Sequence, residues 1–175
     1  MVSGPSGAGK SSVVAGLRRR RPLYFSVSVT TRDQRPGEIE GSHYHFTSPE
    51  EFARMIANGE FLEWAEYNGR LYGTPLRPVV SRLEAGEDVL LEIEVQGARQ
   101  IRQIGLRELM FFIIPPSLDE LAARLRRRGD TNQADITRRL RIAADEMEQA
   151  PELFDHIVVN DDLERCIEEV DALLG

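Results

Sequence analysis

Cysteine is almost missing from this 175-residue chain. Cys166 stands alone, so no internal disulfide can form, and its place in an amphipathic final segment points to packing rather than chemistry. No apolar run reaches membrane-spanning length, and no charged-then-apolar segment opens the chain, so the expectation is a soluble, cytoplasmic protein. Cations are outnumbered, with 22 Lys and Arg against 29 Asp and Glu, and the net charge of −7 argues against nucleic acid or a bilayer as a general partner. A metal-ligand cluster is also wanting: His43 and His45 are two apart without an obvious third ligand, and His156 has no visible partner. There are no internal repeats or low-complexity tracts. What is present is an apolar fraction of 41%, enough for one substantial core in a single domain.

Residues Gly4 to Ser11 read Gly-Pro-Ser-Gly-Ala-Gly-Lys-Ser, a complete G-x-x-x-x-G-K-S phosphate-binding loop. Backbone amides freed by Gly4, Gly7 and Gly9 surround phosphate oxygens, with Pro5, Ser6 and Ala8 between them. Lys10 supplies a mobile cation, and the Ser11 hydroxyl suits magnesium. From Ser12 the chain continues as an apolar helix, whose N-terminal dipole favours anions. Only Met1 to Ser3 precede the loop, fewer residues than a buried strand usually has. Either the numbering begins inside the domain or a short leader has been removed.

Beyond the loop, short apolar and β-branched runs alternate with helical periodicity. Tyr24 to Val29 reads as a strand, Arg32 to Gly41 as a loop, and Ser48-Pro49-Glu50-Glu51 as a capped helix start for a helix ending at Gly59. Asn68-Gly69 predicts a tight type I′ hairpin between Phe61 to Tyr67 and Leu71-Tyr72. Trp64 and Tyr67 are expected in the core of that segment. Val89 to Glu94 and Met110 to Ile114 read as buried parallel strands, and Ser117 with Glu120 as a capping box. Strands separated by helices imply an α/β fold, a parallel sheet covered by helices on both faces, with a strand-and-hairpin insertion between about Arg32 and Tyr72.

Several motifs then occur in order: the phosphate loop; Ser28-Val-Thr-Thr-Arg32-x-x-Arg35-x-Gly37-Glu38; Tyr44-His-Phe; Phe61-Leu-Glu63-Trp64; Tyr72-Gly73-Thr74; Glu92-Ile-Glu94-Val-Gln96-Gly97; Pro115-Pro116-Ser117; the Arg-rich segment Arg124 to Gly129; and Val159-Asn160-Asp161-Asp162. Together they resemble the guanylate kinase family over nearly the whole chain. The resemblance implies a P-loop-type core (1–31, 73–122 and 144–175), a GMP-binding insertion (32–72) and a short mobile helical lid (123–143). It also implies magnesium-dependent transfer of a phosphoryl group from ATP to GMP.

By that resemblance the loop from Gly4 to Ser12 binds ATP, Asn160 and Asp161 belong to its adenine pocket, and Lys10 follows the transferring group. Arg32 and Arg35, within reach of Tyr44 and Tyr72, are the clamp on the acceptor phosphate, which suits forked guanidinium groups. Glu63 is the candidate for guanine selection: guanine presents N–H groups at N1 and N2, whereas adenine leaves a fixed carboxylate unpaired. Ser28 and Thr74 contact the guanine edge, and Glu38 is a further acceptor-site residue or a turn carboxylate. Glu94 stands where the family more often carries aspartate. Glu92, on the same face as Glu94, either orients magnesium through water while Ser11 binds it directly, or one of the pair orders Arg32 or Arg35. Arg124, Arg128 and Arg139 are assigned to the lid and to charge on the transferring group. Arg126, Arg127, Arg138 and Arg141 read as a solvated helix face.

Two other functions compete. A phosphokinase acting on a phosphorylated sugar would not need the set Ser28, Glu63 and Thr74. A non-catalytic, peptide-binding module of the same fold typically loses phosphate-loop residues, whereas Gly9, Lys10 and Ser11 are retained here. The expected partners are ATP and GMP, and the expected assembly is a monomer or homodimer.

Overall fold

Phe111, Phe112, Ile113 and Ile114 form an unbroken apolar run, the pattern of a strand covered on both faces. In a computed structural model, which describes residues 1–106, 108–128 and 133–175, they form the central strand of a parallel sheet. The side chain of Arg128, and residues 129–132 of the polar turn expected from Gly129 to Gln133, lie outside the described residues, and Gln133 is already helical. The chain packs as two compact units, one made of Met1–Arg21 with Arg107–Gly175 and the other of Pro22–Leu106. This packing groups residues 22–31 and 73–106 with the 32–72 segment, a different partition from the expected one into core, insertion and lid.

In the first unit, β8 (Phe111–Ile114) lies between β1 (Val2–Ser3) and β9 (His156–Val159), all parallel. The strand before the loop is only two residues long, yet both are fully buried and pair with Phe111 and Phe112. Helix α1 (Lys10–Arg20) buries Val13, Val14 and Leu17. Gly16 lets it approach α7 (Leu163–Leu173): a Cβ there would stand 2.2 Å from Ile167 Cδ1. Arg20 and Arg21, at the cationic end of α1, reach α7 as well, pairing with Glu164 and Asp171. Helices α5 (Leu118–Arg128) and α6 (Gln133–Leu153) pack through Leu121, Leu125, Ile136 and Ala143. Ser117 Oγ accepts the Glu120 amide at 3.1 Å, the first half of the expected capping box. The Glu120 carboxylate turns instead to Arg124 and Arg127.

In the second unit, the predicted strand from Tyr24 to Val29 is two strands serving two sheets. β2 (Tyr24–Phe25) pairs with β7 (Val89–Leu90), and β3 (Val29–Thr30) joins the sheet β4-β3-β6-β5. There β4 is His45–Phe46, β5 Phe61–Tyr67 and β6 Arg70–Pro75. The β5–β6 hairpin turns on Asn68 (φ 53°) and Gly69 (φ 73°), both left-handed as a type I′ turn requires. Helix α2 (Pro49–Ala57) starts at Ser48, whose side chain accepts the Glu51 amide, and α3 (Leu76–Glu84) and α4 (Val95–Ile104) follow. Trp64 does not enter the core. Strand alternation after a bulge at Phe61/Glu63 turns Glu63 and Ala65 inward and leaves Trp64 39% exposed. The strand expected from Val89 to Glu94 pairs regularly only at Val89–Leu90, and Glu94 is already the N-cap of α4.

Candidate active site

In the first unit the loop leaving β1 is held by its own backbone and by residues distant in sequence. Ala8 N donates to Pro5 O at 3.0 Å, and the amides of Ser12 and Val13 both donate to Gly9 O at 3.1 Å. At Gly4 (φ 143°) a Cβ would stand 2.2 Å from Ile113 O, so only glycine passes this close to β8. Gly9 is the left-handed N-cap of α1 and supplies no side-chain cap, and the positive end of the helix dipole at this turn favours an anion. Ser11 and Ser12 lie exposed on that turn. Lys10 Nζ donates to Gly4 O at 2.6 Å, which ties the ammonium across the loop.

Two of the expected lid arginines reach the loop. Arg124 donates from Nη1 to Ala8 O (3.4 Å) and from Nη2 to Asn160 O (2.9 Å), while its Nε pairs with Glu120. Arg139, only 8% exposed, donates from Nη1 to Ser6 Oγ at 3.3 Å and from Nε to Asp135 Oδ2 at 2.9 Å. Sequence reading missed Asp135 as the group that orients it, although the i, i+4 spacing is visible. Arg127 and Arg138 bond to Glu120 and Asp135 from the helix surface. Asn160 is buried, and its Nδ2 donates to Ala8 O at 2.7 Å. Its amide thus fastens the loop. The Asp161 carboxylate is engaged locally, by the Asp162 amide and by Arg165, and these contacts hold it below the usual carboxylate range. We expect Asn160→Ala to destabilise the protein by about 1–3 kcal/mol, the cost of a lost buried hydrogen bond, read by denaturant unfolding. An unchanged midpoint would remove Asn160 from loop support.

The second unit gathers the acceptor-side candidates. The Arg32 guanidinium makes a forked pair with Glu38, at 2.7 Å and 3.0 Å, and Glu38 also accepts the Arg35 amide at 2.8 Å. Glu38 is therefore not a free turn carboxylate: it is a partner that orients Arg32. Burial opposes ionisation of Glu38, but the bonds from Arg32 and the Arg35 amide outweigh it and hold the carboxyl below its ordinary range. The same guanidinium lies over Tyr44, 5.3 Å from the ring centroid, and Tyr44 meets Tyr72 edge-on at 6.0 Å. Burial pushes the Tyr44 phenol above its ordinary range, reinforced by Glu92, Tyr72 and Glu94.

Glu63 is 4% exposed and accepts a hydrogen bond from Thr74 Oγ1, directly across the β5–β6 pair. Burial raises its carboxyl to about 7; the Thr74 bond works against that rise and the nearby Glu94 carboxylate adds to it. Ser28 is also buried and precedes Val29, which pairs with Gly73, so the register carries Ser28 toward Thr74. Two glutamines of α4 hold the strand that carries this carboxylate. Gln100 pairs with both backbone groups of Trp64, accepting from N at 3.2 Å and donating to O at 2.6 Å, and Gln96 donates to Glu66 O at 3.4 Å. His43 and His45 are used within their own loop, by the Ile39 amide and by Glu40. Among the described residues no group of three His, Cys, Asp or Glu side chains is arranged to hold a metal.

A glycine loop wrapped on a helix N-terminus beside parallel strands defines the P-loop class of nucleotide-binding α/β proteins. The fold is similar to a solved shikimate kinase from Bacteroides thetaiotaomicron at TM-score 0.56 and 16% identity, covering 99% of this chain and 95% of that one. It is similar to the crystal structure of guanylate kinase from Anaplasma phagocytophilum at TM-score 0.80 and 36% identity, over 99% of this chain and 81% of that one. The family model described as guanylate kinase matches residues 1–175. Among curated relatives, the guanylate kinase of Synechococcus sp. (strain JA-3-3Ab) is 51% identical over 99% of this chain and 80% of its own length. That of Streptomyces coelicolor is 52% identical over 99% and 88%. The chain belongs to the guanylate kinase family.

Proposed function

We propose that the chain transfers the γ-phosphoryl group of ATP to GMP, giving ADP and GDP, with the donor on the loop of the first unit and the acceptor on the second. Phosphoryl transfer needs little covalent help from the protein, because the acceptor phosphate is already an anionic nucleophile. It needs cations and amide dipoles around two polyanions. Gly4 to Ser12 supply the amides, Lys10 follows the γ-phosphoryl, and Arg124, Arg128 and Arg139 meet the charge that develops on it. Arg32 and Arg35 take the GMP phosphate, with Glu38 holding the Arg32 fork and Tyr44 and Tyr72 beside it. Glu63 accepts from N1–H and N2–H of guanine, with Thr74, Ser28 and Glu94 along the same edge.

Magnesium fits the residues present. It is a hard cation usually held by phosphate and water oxygens with few protein ligands, and the exposed Ser11 hydroxyl at the start of α1 suits that role. Bound there, it would neutralise phosphate charge. Glu92 raises the Tyr44 phenol, which supports an acceptor-side role for it rather than a metal-side one. No helix among the described residues is long and apolar enough to cross a membrane. We take the protein as cytoplasmic, a monomer or homodimer.

The observation that carries this reading is Glu63, a buried carboxylate on which, among the described residues, no cation acts. A buried acceptor carboxylate of this kind suits the paired N–H donors of guanine. ADP release should be measured with GMP, AMP and ribose bisphosphate, with and without chelator. We expect GMP to exceed AMP by at least about 100-fold in kcat/KM, and chelation to stop turnover. No consumption of GMP would overturn the assignment.

A further inference from the structure

Gly97 is the third residue of α4, a position where glycine costs about 1 kcal/mol against alanine. Its backbone is ordinary and helical, so no turn requires it. Space does: a Cβ at Gly97 would stand 1.9 Å from Glu63 Oε2, 2.7 Å from Cδ and 3.2 Å from Cγ. At Gly16 and Gly73 the corresponding clash is with apolar side chains, Ile167 and Phe61. At Gly97 it falls on the ionisable group assigned to base selection.

Helix α4 has little freedom to back away. Gln100 occupies both backbone groups of Trp64, the residue next to Glu63, and Gln96 bonds to Glu66 O on the same strand edge. Across the hairpin, Thr74 Oγ1 holds Oε1 of the same carboxylate. Glu94, at the N-cap of α4, repels it. Any added bulk at position 97 must therefore be taken up by the Glu63 side chain.

We propose that Gly97 is a positioning residue for base selection: the missing side chain lets the Glu63 carboxylate stand against α4 with Oε1 on Thr74, in the attitude that meets guanine. This rests on the GMP reading above.

The test is Gly97→Ala in the full chain, compared with Glu63→Gln and with Gly97→Ala in a Glu63→Ala background. We expect Gly97→Ala to raise the KM for GMP on the order of 100-fold and to lower the GMP-to-AMP ratio of kcat/KM by a similar factor, as ångström-scale misplacement does. The KM for ATP stays within about twofold, and in the Glu63→Ala background the added substitution moves the ratio by less than about twofold. If Glu63→Gln collapses the ratio and Gly97→Ala leaves it unchanged, the positioning role is wrong and the GMP reading stands. If Glu63→Gln leaves the ratio unchanged, the reading on which the proposal rests fails with it. Should Gly97→Ala lose its thermal unfolding transition, the double variant, which lacks the group struck by the new methyl, recovers it; a double variant that stays unfolded overturns the proposal.

Discussion

Lys10→Ala lowers kcat on the order of 1,000-fold while GMP affinity stays within about twofold, a loss of about 4 kcal/mol of transition-state stabilisation. The ammonium is tied across the loop by its 2.6 Å bond to Gly4 O, beside a helix N-terminus whose N-cap is Gly9. A cation held there interacts most strongly when charge builds on the oxygens of the transferring group. It then acts on kcat more than on ground-state binding. Every residue assigned to guanine and to the acceptor phosphate belongs to the unit Pro22–Leu106, whereas Lys10 belongs to the other. Turnover by a coupled ADP assay and GMP binding by calorimetry separate the two effects. Undiminished turnover would remove Lys10 from the chemistry.

Glu63→Gln is expected to lower the GMP-to-AMP ratio of kcat/KM by about 100-fold or more, because an amide presents one acceptor and one donor to the two N–H groups of guanine. The same variant carries a pH signature. Burial raises the Glu63 carboxyl from 4.5 to about 7, and the proposed guanine contact uses the ionised form. The KM for GMP should therefore rise about tenfold per unit as pH falls below 7, and this limb should be absent in Glu63→Gln.

Stability moves the opposite way. With the folded value above the unfolded one, the folded chain binds more protons between pH 4.5 and about 7. The stability associated with the neutral carboxyl is complete below 4.5 and is lost as pH rises through 7, by roughly 3 kcal/mol. The unliganded variant should match the parent near pH 4 and exceed it at pH 8 in thermal unfolding. Equal pH dependence in both proteins would assign the buried charge elsewhere.

Features carried by neighbouring residues were legible in the sequence. Ser48 capping at Glu51, the left-handed pair Asn68-Gly69 and the amide loop of Gly4 to Ser11 each depend on atoms within a turn of one another. Strand boundaries were less legible. Tyr24 to Val29 has uniform β character, and nothing local says that β2 and β3 serve different sheets. Trp64 was misplaced because hydrophobicity argues for burial, while the bulge at Phe61/Glu63 sets which face turns inward. Arg128 has no described side chain, so the arginine set rests on Arg124 and Arg139.

Sequence by itself determined the phosphate cradle, the order of motifs and hence the family, since amide dipoles, caps and tight turns are short-range properties written in consecutive residues. Tertiary structure alone decided that Asn160 fastens Ala8, that Glu38 holds Arg32, and that Glu63 is buried against Gly97 with its proton held to about neutral pH. Desolvation and contact distance depend on which remote segments meet, and no local pattern of side chains encodes them.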